Sequence, residues 1–215
     1  MVQSYATLHR EQVTGGQVLP PAHHGKPDTA FHRLRQLMEV ALESDQYRLS
    51  SIRSLTLRAQ LKREMLETYT DYLQACLARS YRKDHVFVTL CIWALDAGNY
   101  RLFLPLARHA LKHQMYPPKG FRRSLTEIFL EQLADAQCTP EQAESWGHCL
   151  HELYHLTAEV DVGDEISAKF NKALGRYLER DHPEQALSHY QRAKLYGARV
   201  SGKITQLEKR LNAAS

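Results

Sequence analysis

Two histidines one helical turn apart, His151 and His155, enclose Glu152 in the pattern His-Glu-x-x-His. In zinc metalloproteases this spacing lets both imidazoles bind Zn²⁺ while the glutamate activates a water molecule. His148 falls on nearly the same helix face, and Glu159 one turn further on is a candidate third ligand. Glu159 is nevertheless closer than the separated third ligand of most such enzymes, and 12 histidines make chance matches frequent. We therefore interpret the segment as a polar helix face and predict no metal ion.

A second group of candidate ligands consists of the carboxylates Asp161, Asp164 and Glu165. A metal-dependent nuclease uses such a group, but these residues fall where a helix is predicted to begin. Acidic side chains at that position complement the helix dipole, which is the interpretation we favour. The sequence contains no P-loop, no glycine-rich dinucleotide fingerprint and no Gly-x-Ser-x-Gly elbow. We expect no cofactor and no catalytic residue.

The basic residues are concentrated at one end of the chain. The formal net charge is +4, and residues 1–83 contain 12 Lys or Arg against 8 Asp or Glu, whereas residues 84–215 contain 16 of each. Such a segment favours a polyanionic partner through phosphate contacts and counterion release. On composition alone a solvated helix face is an equally good interpretation. The densest part has no acidic residue and consists of Arg48, Arg53, Arg58, Lys62 and Arg63, our candidate DNA-binding residues.

A second basic segment is the loop from Pro117 to Arg123. We interpret it as a solvated connection between helices, with phosphate contact as the alternative.

Length and composition restrict the class of protein. The 215 residues suit one domain, or one domain with a small appendage, and 43% hydrophobic with 24% charged residues is ordinary globular composition. No apolar run approaches the roughly 18 residues that span a bilayer, and no signal peptide opens the chain. The four cysteines form no Cys-x-x-Cys pair, so we expect reduced thiols in a cytoplasmic protein.

The elements that must position these residues are predicted to be helices throughout, an all-α fold. Residues 1–29, with Gly15-Gly16 and Pro20-Pro21, form a predicted flexible arm. Helical spacing then predicts a helix from about residue 30 to Ser44-Asp45. A longer apolar pattern follows up to Leu77, including Leu55, with a break near Leu57. It predicts two helices or one kinked helix, with the basic residues on the outer face.

From Val86 onward the pattern changes to shorter, paired helices. Gly98 is a predicted left-handed helix stop, Pro117-Pro118 a break, and Thr139-Pro140 a helix start. The predicted helices span residues 86–97, 100–113, 121–136, 139–158, 183–196 and 201–211, with a further one that starts at Asp161 or at Gly163-Asp164 and ends at about residue 180.

Two of these segments have the small-residue spacing of the second helix of a tetratricopeptide repeat. One contains Phe103, Ala107 and Ala110, and the other contains Ala186, Tyr190 and Ala193. The two segments lie 83 residues apart, so they are not a tandem array of 34-residue repeats. Close-packed helical hairpins are the simpler interpretation, and a true repeat is the alternative.

Two stretches of the sequence resemble small terminase subunits of temperate tailed phages with cohesive-end genomes. The first, Asp84 to Leu125, contains the segments WALDAGN and ARHALK, and the second, Asp164 to Leu211, contains ALSHYQRA. The resemblance covers about residues 30–212 and is moderately specific. Members of this family are often labelled endonuclease subunits, but we identify no nuclease or ATPase motif in this sequence.

The resemblance implies a protein that recognises the packaging site on concatemeric double-stranded viral DNA and delivers it to the large terminase subunit. It also implies a homo-oligomer, expected to be a ring, in the cytoplasm of the bacterial host cell. In this interpretation residues 30–83 form a basic region for DNA binding and assembly. Residues 84–215 then form a helical-hairpin domain for oligomerisation and docking of the large subunit.

Two other functions remain open at the level of sequence. The tetratricopeptide-like spacing is also typical of a helical-repeat scaffold that binds only protein. The segment from His151 to His155 keeps open a metal-dependent hydrolase, which stoichiometric metal in the purified protein would reveal.

Overall fold

A computed structural model describes residues 29–80 and 83–214 of the chain. These residues form ten α-helices and one 3₁₀ turn without any strand, which confirms the all-α prediction. The predicted arm lies outside the described residues except for Thr29, which begins the first helix. The helices are α1 (Thr29–Ser50), α2 (Leu55–Thr68), α3 (Thr70–Leu77), α4 (His85–Asp96), α5 (Tyr100–Lys112), α6 (Leu125–Asp135), α7 (Ala143–Leu156), α8 (Asp164–Leu178), α9 (Pro183–Leu195) and α10 (Ser201–Ala214), with the 3₁₀ turn at Pro140–Gln142.

Helix α4 is the centre of the fold. Every residue from Val86 to Leu95 is buried, and α1, α2, α5 and α6 all pack against it. The Asp84 side chain caps its first turn by accepting the amide of Phe87 at 3.1 Å. Its other end stops at Gly98, whose positive φ of 64° is accessible to glycine at little cost, as predicted.

The buried carboxylate of Asp84 also joins α4 to the N-terminal helices. It accepts the Tyr72 hydroxyl of α3 at 2.7 and 2.8 Å, and the Arg35 guanidinium of α1 lies 3.7 Å away. The Tyr72 ring stacks on Phe31 of α1 with centroids 6.0 Å apart. One carboxylate thus connects three helices.

Two hydrophobic clusters fill the molecule. The larger takes side chains from Phe31 in α1 to Leu174 in α8, so residues on both sides of position 84 share one core. The smaller joins the end of α8 to α9 and α10 around Tyr190 and Ile204. All four cysteines are free thiols. Among the helices of residues 29–80 and 83–214, none is both long and apolar enough to cross a membrane.

Both segments with repeat-like spacing lie in antiparallel helical hairpins, α4–α5 and α8–α9. Their small and aromatic residues are fully or almost fully buried, including Phe103, Ala107, Ala186 and Tyr190. In the second hairpin Gly175 permits the close approach, because a Cβ there would lie 2.8 Å from the Tyr190 ring. Tetratricopeptide-like packing as such stays a prediction.

Two predicted boundaries in the N-terminal region were wrong. Helix α1 continues through Ser44-Asp45 to Ser50, because Asp45 accepts the Tyr69 hydroxyl at 2.8 Å and Arg48 at 3.1 Å instead of ending the helix. The following break lies at residues 51–54, and a further one at Tyr69 was not predicted. Leu55, which we placed in the buried pattern, is 77% exposed at the start of α2.

Replacing Asp84 by alanine should destabilise the fold strongly. The change removes the α4 cap and leaves the buried Tyr72 hydroxyl without its acceptor, so the free energy of unfolding should fall by about 3 kcal/mol. Urea denaturation followed by circular dichroism measures this value. Glu67→Ala, at an exposed acidic position of α2, is the control and should change it by less than about 0.5 kcal/mol. Equal effects of the two variants would contradict the role of Asp84.

Candidate nucleic-acid interface

The five basic residues singled out in the sequence lie around one turn between two helices. Arg48 is in the last turn of α1, and Arg53 is in the connection 51–54. Arg58, Lys62 and Arg63 follow along α2. Tertiary packing divides this set into residues that hold α2 in place and residues that remain available to a ligand.

Lys62 and Arg63 bind the carboxyl end of α4. Lys62 is only 9% exposed, forms an ion pair with Asp96, and has its ammonium 5.8 Å from the centre of the Trp93 ring. Arg63 donates from Nη2 to the carbonyl of Ala97 at 2.6 Å. Cations are favourable at this end of a helix because the unpaired carbonyls carry partial negative charge. Both side chains therefore attach α2 to the central helix.

Arg48 and Arg53 are exposed beside this turn, and Arg58 is half-buried next to them. The Arg48 side chain is 60% exposed, and its contact with Asp45 is a surface ion pair that contributes little stability. Arg53 is exposed and makes no ion pair within the described part of the chain. Arg58 is half-buried, and its Nε is a buried atom without a hydrogen-bond partner among the described residues. These three arginines form what we call the arginine turn.

The start of α2 adds to the positive potential of the arginine turn. Ser54 caps the helix by accepting the amide of Leu57 at 3.3 Å, and the first turn contains no acidic residue. A helix N-terminus carries partial positive charge and exposes amides that bind anions. Leu55 and Thr56 in this turn are exposed, so a large ligand can approach the backbone.

The basic loop after Pro117 is only partly free. Arg123 forms an ion pair with Glu131 of α6 and lies 3.9 Å from Glu165 of α8. Lys119 and Arg122 are exposed. Phosphate contact by this loop stays a hypothesis.

The His-Glu-x-x-His segment lies on α7, where it faces α5 and α9. Glu152 forms an ion pair with Arg108 of α5, which lowers the pKa of the glutamate and occupies its carboxylate. The Nε2 atoms of His151 and His155 lie 3.3 Å apart and contact each other. Within residues 29–80 and 83–214, no three His, Cys, Asp or Glu side chains are arranged to hold a metal ion.

The same segment packs the C-terminal hairpin against α7. The Tyr154 ring meets His189 of α9 edge to face at 5.0 Å, and its hydroxyl accepts a hydrogen bond from Arg192. His189 Nδ1 lies 3.0 Å from Asn171 Oδ1, and the Asn171 amide donates to the Ser167 carbonyl at 2.9 Å. The segment thus has a structural role that its spacing did not reveal.

The carboxylates near residue 164 lie where the sequence predicted. Asp164 and Glu165 form the first turn of α8, and Asp161 is exposed in the preceding connection. Glu165 is 70% exposed and lies 3.6 Å from Lys169 one turn later. They complement the helix dipole and the neighbouring cations.

Comparison with known proteins gives the family. A family model described as phage small terminase subunit matches residues 39–165, from the third turn of α1 to the start of α8. The chain is also 34% identical over 183 residues to the "Terminase, endonuclease subunit" of Escherichia phage P2, covering 81% of this chain and 73% of that protein. The chain belongs to the phage small terminase subunit family. No solved structure matches it.

Membership of the small terminase family confirms the resemblance seen in the sequence and supports a role in phage DNA packaging. The matched region contains the whole arginine turn as well as α4, on which α2 is mounted. Sequence reasoning did not foresee that Asp96 and the Ala97 carbonyl would bind two of the basic residues. The general preference for cations near a helix C-terminus is the one feature that could have predicted their binding to the end of α4.

The attachment of α2 to α4 can be measured by a double-mutant cycle. Lys62→Met keeps the aliphatic contact with Trp93 but loses the ion pair, so it should lower the free energy of unfolding by about 1–2 kcal/mol. Combining it with Asp96→Asn should cost less than the sum of the single changes by about 1 kcal/mol. Urea denaturation of the four proteins tests this coupling, and simple additivity would contradict the ion pair.

The His189 contact should make stability depend on pH. Burial, with Arg192 and His151 nearby, lowers the pKa of His189 from about 6.5 to about 4. Between these values the unfolded chain binds a proton that the folded chain does not. Stability should therefore fall as the pH drops from 6.5 to 4, and this contribution should level off below 4.

Thermal unfolding between pH 7 and pH 4 measures the effect of His189. His189→Gln should show a smaller loss of melting temperature over this range than the unmodified protein. His32→Gln, at an exposed position of α1, is the matched control and should retain the full loss. Parallel curves for the unmodified protein and His189→Gln would refute the assignment.

Proposed function

We propose that this small terminase subunit binds duplex phage DNA through the arginine turn and delivers it to the large terminase subunit. The observation that carries the proposal is the clustering of exposed Arg48 and Arg53 with half-buried Arg58 around a single turn. The acidic residue nearest to them in sequence, Asp45, is bound to Tyr69 and Arg48.

The arginine turn suits the phosphate backbone better than a base-specific pocket. Arginine presents planar, charged donors that match phosphate oxygens, and contacts to phosphate position a protein on the duplex. The exposed amides at the start of α2 likewise favour an anionic ligand. Specificity for a packaging site requires further contacts to base edges, for which exposed Thr56 at the start of α2 is well placed.

The remainder of the proposed function follows from the family. Delivery of DNA to the large subunit and assembly as a homo-oligomer, expected to be a ring, are what the resemblance implies, and the bacterial cytoplasm is the expected place of action. The relative from phage P2 is named an endonuclease subunit. We assign cleavage to no residue of this chain. Glu165 lies beside Lys169, Glu152 is paired with Arg108, and His151 and His155 contact each other.

The DNA contact is tested by removing two arginines together. Arg53→Ala with Arg58→Ala should weaken binding to duplex DNA roughly tenfold at about 0.1 M salt, because two phosphate contacts are lost. The slope of log affinity against log salt concentration should fall by about two units. Fluorescence anisotropy with a labelled duplex, repeated at several salt concentrations, measures both quantities.

A matched control separates this contact from the effect of net charge. Arg199→Ala with Lys209→Ala removes the same charge from exposed positions near the C-terminus and should leave both quantities nearly unchanged. Equal losses in the two double variants would contradict the arginine turn as the binding site. Capture of the large subunit without any retention on DNA would instead support the protein-binding scaffold.

A further inference from the structure

Helix α1 has a second apolar face that no other part of the described chain covers. Its inner face packs Phe31, Leu42 and Leu49 into the core. On the opposite side Leu37 is 65%, Val40 67% and Tyr47 81% exposed. A surface helix normally has one apolar stripe towards the core and a polar face towards solvent. Two apolar stripes indicate that α1 has a second partner.

The spacing of the outer residues is that of a coiled-coil seam. Along this side of α1, successive stripe residues are three and then four positions apart, which keeps them on the face that a second helix would contact. Every one of them is exposed, and the stripe extends over about 27 Å at 1.5 Å per residue. We call this stripe the outer seam; it consists of Ala30, Arg33, Leu37, Val40, Ser44 and Tyr47.

We propose that the outer seam binds the outer seam of a second copy in antiparallel orientation. In this orientation Leu37 lies against Val40 of the second copy, and the same contact occurs twice by symmetry. The large Tyr47 lies against the small Ala30, and Arg33 lies against Ser44. A parallel pair would instead bring the two Arg33 residues face to face.

Charge complementarity favours the same orientation. Arg33 lies on the N-terminal half of the seam, and Glu43 flanks it on the C-terminal half, where both are exposed. An antiparallel pair brings Arg33 of one copy beside Glu43 of the other at both ends of the contact. The two residues are too far apart in one helix to pair with each other, so their arrangement suits a second copy of the same chain.

The antiparallel pair also places the two arginine turns at a useful distance. In this register a residue of one copy lies opposite the residue of the other copy for which the two residue numbers add up to about 77, as with Leu37 and Val40. The Ser51 residues of the two copies are therefore about 37 Å apart along the helix axis, at 1.5 Å per residue. Successive half-sites on one face of B-DNA are about 34–36 Å apart, which is close to this distance. The inference rests on the self-association within the proposed function. A two-fold pair closes on itself, so the expected ring would be assembled from such pairs through a second contact. The half-site spacing alone involves the DNA contact.

The test measures self-association of the full chain without DNA. Sedimentation velocity over a range of concentrations should show dimers or multiples of dimers. Val40→Glu should weaken association at least tenfold. At dilutions where both proteins are monomeric it should leave the melting temperature unchanged, because the side chain is exposed in a single copy. Leu195→Glu on α9, where the leucine is 80% exposed, is the matched control and should leave association unchanged.

A charge exchange tests the orientation. Arg33→Glu and Glu43→Arg should each weaken association, and the two changes combined should restore it, because each ion pair between copies is then reversed. Failure of the combined variant to recover would overturn the antiparallel arrangement. A ring or other oligomer that Val40→Glu does not affect would overturn the seam while leaving the proposed function intact. A strictly monomeric chain that still binds DNA would overturn self-association but not the DNA contact.

Discussion

The burial of α4, with a carboxylate near each of its ends, is the constraint on which the rest of the structure depends. A helix that is apolar on every side must be surrounded by other helices, and α1, α2, α5 and α6 fulfil this requirement. At one end Asp84 accepts a hydrogen bond from Tyr72 and forms an ion pair with Arg35. At the other end Asp96 forms an ion pair with Lys62. The N-terminal helices are thereby attached to both ends of one rigid element, which determines where the arginine turn points.

This attachment explains why clustered positive charge in a sequence is an incomplete guide to an interface. The sequence alone does not distinguish the five basic residues. In the structure, however, Lys62 and Arg63 are bound to α4, and the other three surround an exposed turn. Lys62 and Arg63 fix the orientation of α2 and so of the arginine turn, which supplies the proposed phosphate contacts. In a small terminase subunit, the same basic segment thus serves both folding and the proposed DNA contact.

The outer seam of α1 and the arginine turn lie next to each other on one helical unit. Tyr47 ends the seam one residue before Arg48, so self-association and DNA contact would be mechanically linked through α1. The C-terminal helices lie outside this unit and pack on α7 instead. Their contacts with α7 use Tyr154, His189 and Arg192, and these account for a segment whose spacing suggested a metalloprotease.

Helical periodicity, Gly98 and the Thr139-Pro140 start determined the all-α class and most helices from residue 84 onward, because apolar spacing and capping act locally. The family was also evident from the WALDAGN and ARHALK segments. The end of α1 and the break at Tyr69 were decided by tertiary contacts, since the partner of Asp45 lies 24 residues away. Tertiary packing likewise decided which basic residues bind α4, because the ion pair of Lys62 with Asp96 joins residues 34 positions apart, which no local pattern encodes.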